Sequence, residues 1–191
     1  MRSSKIERET NETDIKIELT LDGKGDSSID TSIKFLDHLI NSIAKHAMFD
    51  LKINARSKDN IIHHLIEDTA IALGLAIDQA LGDRKGIARF GYAIIPMDES
   101  LAKASIDLVK RSYYKLSLDI ERGEIEGIVR EDMIHFFESL LKNVNACIHI
   151  IVEYGSNDHH KVEAAAKAFA IALKQAIKVE HDNIPSTKGV M

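Results

Sequence analysis

The chain has 191 residues, a formal net charge of −5 and 45% apolar residues, which suffices for one large domain or two small fused ones. It contains no lysine- and arginine-rich block and no apolar run of about 18 residues, which argues against nucleic-acid binding and against a membrane span. The single cysteine, Cys147, excludes an intrachain disulfide and suits a reducing cytoplasm. The N-terminal stretch is polar and does not resemble a signal peptide, which also favours a cytoplasmic location.

The first half of the chain predicts alternating strands and helices. Residues 1–11 are polar and are expected to be frayed. Apolar residues then recur with period two in predicted strands and at helical spacing in predicted helices. In chain order these elements are a strand at 15–21, a helix at 35–44, a strand at 48–55 and a long helix ending near Leu81. Gly82 is the expected stop signal of that helix.

The second half of the chain predicts a similar order. Its elements are strands at 89–97, 101–108 and 113–120, a helix at 131–146, a strand at 147–154 and a long helix ending near Ile177. The loop Gly155-Ser156-Asn157-Asp158 offers an N-cap for the last helix. The tail from 180 to 191 has no periodic pattern and is expected to be irregular.

A pair of histidines followed by a glutamate opens each long helix. The first copy is His63-His64-x-x-Glu67, and it returns 96 residues later (159 − 63) as His159-His160-x-x-Glu163. Helical residues four apart share a face, so His63 and Glu67 can chelate one metal, as can His159 and Glu163. His64 and His160 are turned aside by about 100°. The alternative interpretation is a pair of solvated helix starts.

The two halves repeat more widely than this motif. Residues 38–43 match 135–140, so that His38 corresponds to His135 on the shorter helix of each half. We therefore predict an α+β fold of duplicated β-α-β-α units, with sheets packed against helices. Residues 1–191 would form a single catalytic domain of two tandem repeats, about 1–95 and 96–191, with the two His-pair helices side by side.

These residues predict two metal sites. Each metal would take one His–Glu chelate, a single histidine from the other repeat and either His38 or His135. Imidazole and carboxylate donors without thiolate suit Mn, Fe, Co or Zn, and open coordination positions suit catalysis. Arg89, Arg111 and the Ser186-Thr187-Lys188 stretch are candidates for a phosphate cradle, although each is also typical of an ordinary polar surface.

Seven segments together resemble the imidazoleglycerol-phosphate dehydratase family of histidine biosynthesis, in the family's order and over nearly the whole chain. They are Phe35-Leu36-Asp37-His38, His63-His64-x-x-Glu67-Asp68-Thr69, Arg89-Phe90-Gly91, Pro96-Met97-Asp98-Glu99, His135-Phe136-Phe137, Asn157-Asp158-His159-His160-x-Val162-Glu163 and Pro185-Ser186-x-Lys188-Gly189. The chain departs from the family's pattern at Ile62, where an acidic residue is usual, and around Arg111.

The resemblance implies a fold of the ribosomal protein S5 domain 2-like type and two Mn²⁺ per active site. The implied metal ligands are His38, His63, His64, Glu67, His135, His159, His160 and Glu163. The implied substrate contacts are Glu12, Arg89, Arg111, Ser186, Thr187 and Lys188. The implied assembly is a homo-oligomer of 24 subunits built from trimers, with active sites at subunit interfaces.

The implied activity is that of a lyase that dehydrates D-erythro-imidazole glycerol phosphate to imidazole acetol phosphate through a di-metal-bound imidazolate. Glu12, Glu67 and Glu163 are the candidate catalytic carboxylates, with metal-bound hydroxide as a further candidate base. A di-metal phosphoester hydrolase would use the same ligands, and a metal sensor or store would bind the ions without turnover.

Overall fold

The computed structural model describes residues 1–180 and 182–186, so Thr187 and Lys188 of the predicted cradle lie outside the described residues. The elements of the first half are β1 (Ser3–Glu9), β2 (Thr13–Thr20), β3 (Ser27–Asp30), α1 (Lys34–Ala47), β4 (Asp50–Ser57) and α2 (Ile62–Leu81). Those of the second half are β5 (Phe90–Met97), β6 (Ser100–Asp107), β7 (Tyr113–Ser117), β8 (Glu124–Ile125), β9 (Ile128–Val129), α3 (Arg130–Asn143), β10 (Cys147–Tyr154) and α4 (Asp158–Ala176).

The two halves build four-stranded sheets of the same topology. The strand order is β1-β2-β4-β3 in the first sheet and β5-β6-β10-β7 in the second. In each sheet the short third strand pairs parallel to its neighbour, and the other pairs are antiparallel. The predicted α+β fold of duplicated β–α units is therefore confirmed. Compared with the β-α-β-α pattern, each unit has two more strands of its four-stranded sheet before its first helix, and the second unit also has the short strands β8 and β9.

The prediction that residues 1–11 are frayed is wrong, because residues 3–9 form β1 along the edge of the first sheet. Their backbone pairs with β2 from Ser3 opposite Thr20 to Glu9 opposite Asp14. An antiparallel sheet can leave one face in water, so a strand in it can carry polar side chains at alternate positions. In β1, Ile6 packs against the core while neighbouring side chains are exposed.

A hairpin distinguishes the second repeat from the first. Three residues, 31–33, separate β3 from α1, whereas twelve, 118–129, separate β7 from α3. The added residues form the β8–β9 hairpin, in which Glu124 pairs with Val129 and Ile125 with Ile128. This hairpin leads directly into α3 and gives the second repeat a surface that the first repeat lacks.

The four helices lie between the two sheets. Helix α2 packs on β1 and β2 and on α3, while α4 packs on β5 and β6 and on α1. Each His-pair helix therefore packs on the shorter helix of the other repeat, and the prediction that α2 and α4 lie side by side is wrong. Gly74 permits the close approach of α3, since a Cβ there would lie 2.6 Å from the carbonyl oxygen of Leu140.

The ends of the His-pair helices follow local sequence signals. The Asn157 side chain accepts a hydrogen bond of 3.0 Å from the backbone N–H of His159, as expected of an N-cap. Gly82 follows the last residue of α2 with φ = 59°, a conformation that glycine adopts without strain. None of the described helices is long and apolar enough to cross a bilayer.

Candidate metal centre

The first donor group joins α1 to α4 and is named here the α1–α4 group: His38, His159 and Glu163. His38 Nε2 lies 2.9 Å from Glu163 Oε1, and His159 Nε2 lies 3.7 Å from Glu163 Oε2. One donor atom from each residue lies within 4.8 Å of the others. The lone histidine of the first repeat thus meets the His–Glu pair of the second.

The second donor group consists of the equivalent residues with the two repeats exchanged, and it is named the α2–α3 group: His63, Glu67 and His135. His135 Nε2 lies 3.0 Å from Glu67 Oε1, and His63 Nε2 lies 3.9 Å from Glu67 Oε2. His135 Nε2 is buried and makes no hydrogen bond to any described residue. A buried imidazole nitrogen without a hydrogen bond, facing a carboxylate, is suited to be a metal ligand.

His64 and His160 lie outside both groups. His64 Nδ1 contacts Asp59 at 2.6 Å and lies 3.9 Å from Glu12, while His160 Nδ1 contacts Glu99 at 2.7 Å. The hydrogen bond to Asp59 raises the pKa of His64, and the hydrogen bond to Glu99 raises that of His160. The structure therefore brings six of the eight predicted ligands into these two groups and leaves two outside them. His64 forms a third cluster with Glu12 and Asp59, whose donor atoms lie within 4.8 Å of one another.

Carboxylates contact the Nδ1 atom of all four paired histidines. The pairs are His63 with Asp132 at 2.6 Å, His64 with Asp59 at 2.6 Å, His159 with Glu126 at 3.2 Å and His160 with Glu99 at 2.7 Å. A carboxylate on Nδ1 fixes the tautomer and orients the ring, so that Nε2 is available to a metal.

These four carboxylates were missing from the predicted site. Asp132 and Glu126 are separated from their histidines by 69 and 33 residues, and no repeat pattern marks them. Glu99 does carry a signal, because it occupies the β5–β6 turn as Glu12 occupies the β1–β2 turn. The duplication therefore pairs Glu12 with Glu99, and both lie beside the second histidine of a pair.

Glu163 of the α1–α4 group is a buried carboxylate beside positively charged and hydrogen-bonding groups. Burial alone would raise the pKa of Glu163, but the hydrogen bond from His38 and the charge of Lys167 lower it below its usual value. Glu163 therefore stays ionised in a buried position, as a metal ligand requires. The two-histidine, one-carboxylate donor sets suit Mn, Fe, Co or Zn.

The predicted phosphate contacts lie at the opposite end of α4 from its histidines. The backbone N–H of Arg89 donates to the carbonyl oxygen of Ala176, about 25 Å along the helix axis from His159. The Arg89 side chain pairs with Asp107 at 2.7 and 3.0 Å and donates to the carbonyl oxygen of Pro185. The chain thus brings Arg89 to the tail segment and away from the metal donors.

The other predicted substrate contacts lie either near Arg89 or near the histidines. Arg111 is three residues after Leu108, whose N–H donates to the Arg89 carbonyl oxygen. Ser186 is the residue after Pro185, whose carbonyl oxygen accepts from the Arg89 side chain. Glu12 lies with the histidines, beside His64. Arg89 has a positive φ of 73°, which is uncommon for a residue with a side chain.

The fold and the site define a class of duplicated α+β proteins in which two copies of one unit each contribute a His–Glu pair and a lone histidine. Within that class, the chain belongs to the imidazoleglycerol-phosphate dehydratase family, whose model matches residues 31–173. Over 193 residues it is 53% identical to the imidazoleglycerol-phosphate dehydratase of Methanococcoides burtonii, covering 100% of both chains. It is 48% identical over 192 residues to that of Chlorobium phaeobacteroides, covering 100% of this chain and 96% of the relative.

Two solved structures of the family share the fold. The dehydratase of Staphylococcus aureus superposes with a TM-score of 0.83 at 28% identity, covering 93% of this chain and 99% of that one. The enzyme of Pyrococcus furiosus, solved in complex with (S)-C348, superposes with a TM-score of 0.83 at 35% identity, covering 97% and 100%. The agreement extends over both repeats, as the coverage requires.

Proposed function

We propose that the chain is a hydro-lyase that removes water from D-erythro-imidazole glycerol phosphate, giving imidazole acetol phosphate in L-histidine biosynthesis. The observation that carries the proposal is the pair of equivalent donor groups, α1–α4 and α2–α3, in a member of the dehydratase family. An imidazole ring has two nitrogens, and two matched metal groups suit a substrate with two equivalent donor atoms.

Two Mn²⁺ ions are the proposed cofactors, held by the two donor groups and completed by His64 and His160. When bound, such ions act as Lewis acids toward ring nitrogens and favour loss of a ring proton. The chain's own contribution is orientation: Asp59, Glu99 and Asp132 each hold the Nδ1 of a histidine at 2.6 to 2.7 Å. A ring held in this way presents Nε2 without further rearrangement.

Glu12 is the carboxylate that we propose as the base. Its side chain is 53% exposed beside His64, and it lies outside the α1–α4 and α2–α3 groups. It belongs instead to a third cluster with Asp59 and His64, whose donor atoms also lie within 4.8 Å of one another. Glu67 and Glu163 instead face two imidazole nitrogens each, which commits their oxygens to the metals. A base must reach the proton it removes, so a carboxylate outside the two groups of two histidines and one glutamate is the better acceptor of the C–H proton.

The phosphate of the substrate is proposed to bind Arg89, Arg111, Ser186, Thr187 and Lys188. The separation of about 25 Å along α4 between Arg89 and His159 exceeds the length of this small substrate. Within one chain, Arg89 therefore cannot reach a substrate held at the α1–α4 group. We propose that a neighbouring chain completes the active site, which accounts for the two histidines left outside the groups.

The outer face of the second sheet is the surface proposed for contact between copies. Phe90, Tyr92, Ile94, Tyr113 and Tyr154 are each more than half exposed there. The corresponding face of the first sheet carries charged side chains such as Lys5, Glu7, Lys16 and Glu18. Because large exposed apolar patches mark interfaces, this face supports the proposed contact between copies. The proposed size of the homo-oligomer, 24 subunits built from trimers, rests on the resemblance to the family.

We also propose that residues 1–191 act as a single catalytic domain in the cytoplasm. Both donor groups draw on both repeats, so neither repeat holds a complete group alone. Cys147 is a free thiol, which suits a reducing compartment.

The test is an assay of metal-stripped protein with imidazole glycerol phosphate, with and without Mn²⁺. The expected result is an enolisable ketone that forms when Mn²⁺ is present, with no release of inorganic phosphate. Phosphate release without ketone would identify the hydrolase alternative instead. Full activity with no bound metal would contradict the metal-dependent mechanism, and light scattering of the same samples should show that Mn²⁺ raises the mass above one chain.

A further inference from the structure

The two donor groups match in ligand type but differ in the burial of their carboxylates. The Glu163 side chain is 7% exposed, whereas that of Glu67 is 36% exposed. Both glutamates face two histidines at similar distances, and one histidine of each group has a further carboxylate on Nδ1. The number of nearby acidic groups is therefore the same in the two groups.

The two groups differ in positive charge, because a lysine lies beside the glutamate of the α1–α4 group. Lys167 lies one helical turn after Glu163, and its Nζ is 3.4 Å from Glu163 Oε1. The ammonium also contacts Met97 Sδ at 3.0 Å, and the side chain is 22% exposed, so it is held against the group. The equivalent position of α2, 96 residues earlier (167 − 96), is Ile71, which carries no charge.

We infer that the two groups bind divalent cations with unequal affinity, and that Lys167 makes the α1–α4 group the weaker site. The inference rests on the proposed metal-dependent function. A cation that enters the α1–α4 group must share Glu163 with a fixed ammonium and is repelled by it. Repulsion between charges a few ångströms apart is strong where water is partly excluded, as it is around Glu163. Among the described residues, no lysine or arginine forms an ion pair with Glu67, so a cation that enters the α2–α3 group does not share its carboxylate with an ammonium.

The measurement is Mn²⁺ binding to metal-stripped protein by equilibrium dialysis, with metal content per chain determined directly. The expected result is two steps per chain, separated by at least tenfold in dissociation constant. Glu163→Gln should remove the weaker step and Glu67→Gln the tighter one, which assigns each step to its group. Circular dichroism of each variant establishes that it is folded.

The charge itself is tested by exchanging it between the two helices. Lys167→Met should tighten the weaker step at least tenfold and leave the tighter step within twofold, and Lys167→Gln should act in the same direction. Ile71→Lys should weaken the tighter step. Equal affinities in the unchanged protein, or no effect of either Lys167 variant, would overturn the inference while leaving the metal function intact. Absence of any bound Mn²⁺ would overturn the proposed function and the inference with it.

Discussion

The first turns of α2 and α4 carry the same histidine pair but differ in what surrounds it. Ile61, Ile62 and Leu65 stand in α2 where Asn157, Asp158 and Lys161 stand in α4. In α2 the two isoleucines are 47% and 51% exposed, and no side chain caps the helix. In α4 the same positions form a buried polar network. Duplication has thus kept the histidines and changed their support.

The network of α4 holds the segment that leads into the β8–β9 hairpin. Lys161 is fully buried, with its Nζ 3.3 Å from Asp158 Oδ1 and 2.6 Å from the Asp119 carbonyl oxygen. Asp158 Oδ2 accepts hydrogen bonds from the backbone N–H groups of Glu121 and Arg122. The β8–β9 hairpin, positioned by these contacts, carries Glu126, whose carboxylate contacts His159.

The two repeats therefore orient equivalent histidines by different means. In the α2–α3 group, Asp132 of α3 contacts His63 directly. The equivalent position of α1, three residues before the lone histidine, is Phe35, whose ring packs on His159 with centroids 4.8 Å apart. Because phenylalanine cannot accept a hydrogen bond, the carboxylate for His159 comes from Glu126 of the added hairpin. Both repeats therefore place a carboxylate on the Nδ1 of the first histidine, but the carboxylate comes from different positions in the two repeats.

The largest expected effect comes from removing the buried cation of α4. Lys161→Met should lower the free energy of unfolding by about 3–5 kcal/mol, because it leaves the Asp158 carboxylate, 3% exposed, without its charged partner. Urea unfolding of metal-stripped protein measures the change. Lys103→Met is the matched control: Lys103 pairs with Glu153 at the surface and should contribute less than about 1 kcal/mol. Equal losses in the two variants would mean that Lys161 does not hold this network.

A smaller effect is expected from the carboxylates that orient the histidines. Asp132→Asn should weaken Mn²⁺ binding to the α2–α3 group by about 10- to 100-fold, as is typical when the partner of a metal-ligating histidine is lost. Glu126→Gln should weaken the α1–α4 group by less than about tenfold, because its contact is 3.2 Å long and 58% of its side chain is exposed, so that water can replace it. Equilibrium dialysis of both variants measures these changes. A larger loss of Mn²⁺ affinity in Glu126→Gln than in Asp132→Asn would contradict this expectation.

The sequence predicted those features of the site that depend on residue spacing along a helix or on the internal repeat. Residues four apart on a helix share a face, so the His63–Glu67 and His159–Glu163 pairs followed from the motif alone. The matching position of His38 and His135 followed from the repeat. Which helix packs on which could not be predicted, because α2 and α4 are apolar on most sides and periodicity does not name their neighbours.

The residues that the sequence did not predict act over long separations in the chain. Glu99 is 61 residues from His160, and Asp132 is 69 residues from His63. Carboxylates are common on polar surfaces, and nothing in the local pattern separates Asp132 from its neighbours. Glu99 is marked only by the match between its turn and the turn that holds Glu12. The strand β1 was missed for a related reason: its hydrogen bonds to β2, rather than its polar sequence, fix its conformation.

The smallest expected effect concerns the missing cap of α2. Ile61 has φ −92° and ψ 113°, close to the −112° and 114° of Asn157, so an asparagine at 61 fits the backbone without change. Ile61→Asn should raise the free energy of unfolding by about 0.5–1 kcal/mol, because its side chain can accept the N–H of His63 as Asn157 accepts that of His159. Ile61→Ala removes the same exposed apolar side chain and supplies no acceptor, so urea unfolding should show no such gain. If the two variants are equally stable, the difference between the first turns of α2 and α4 has no consequence for stability.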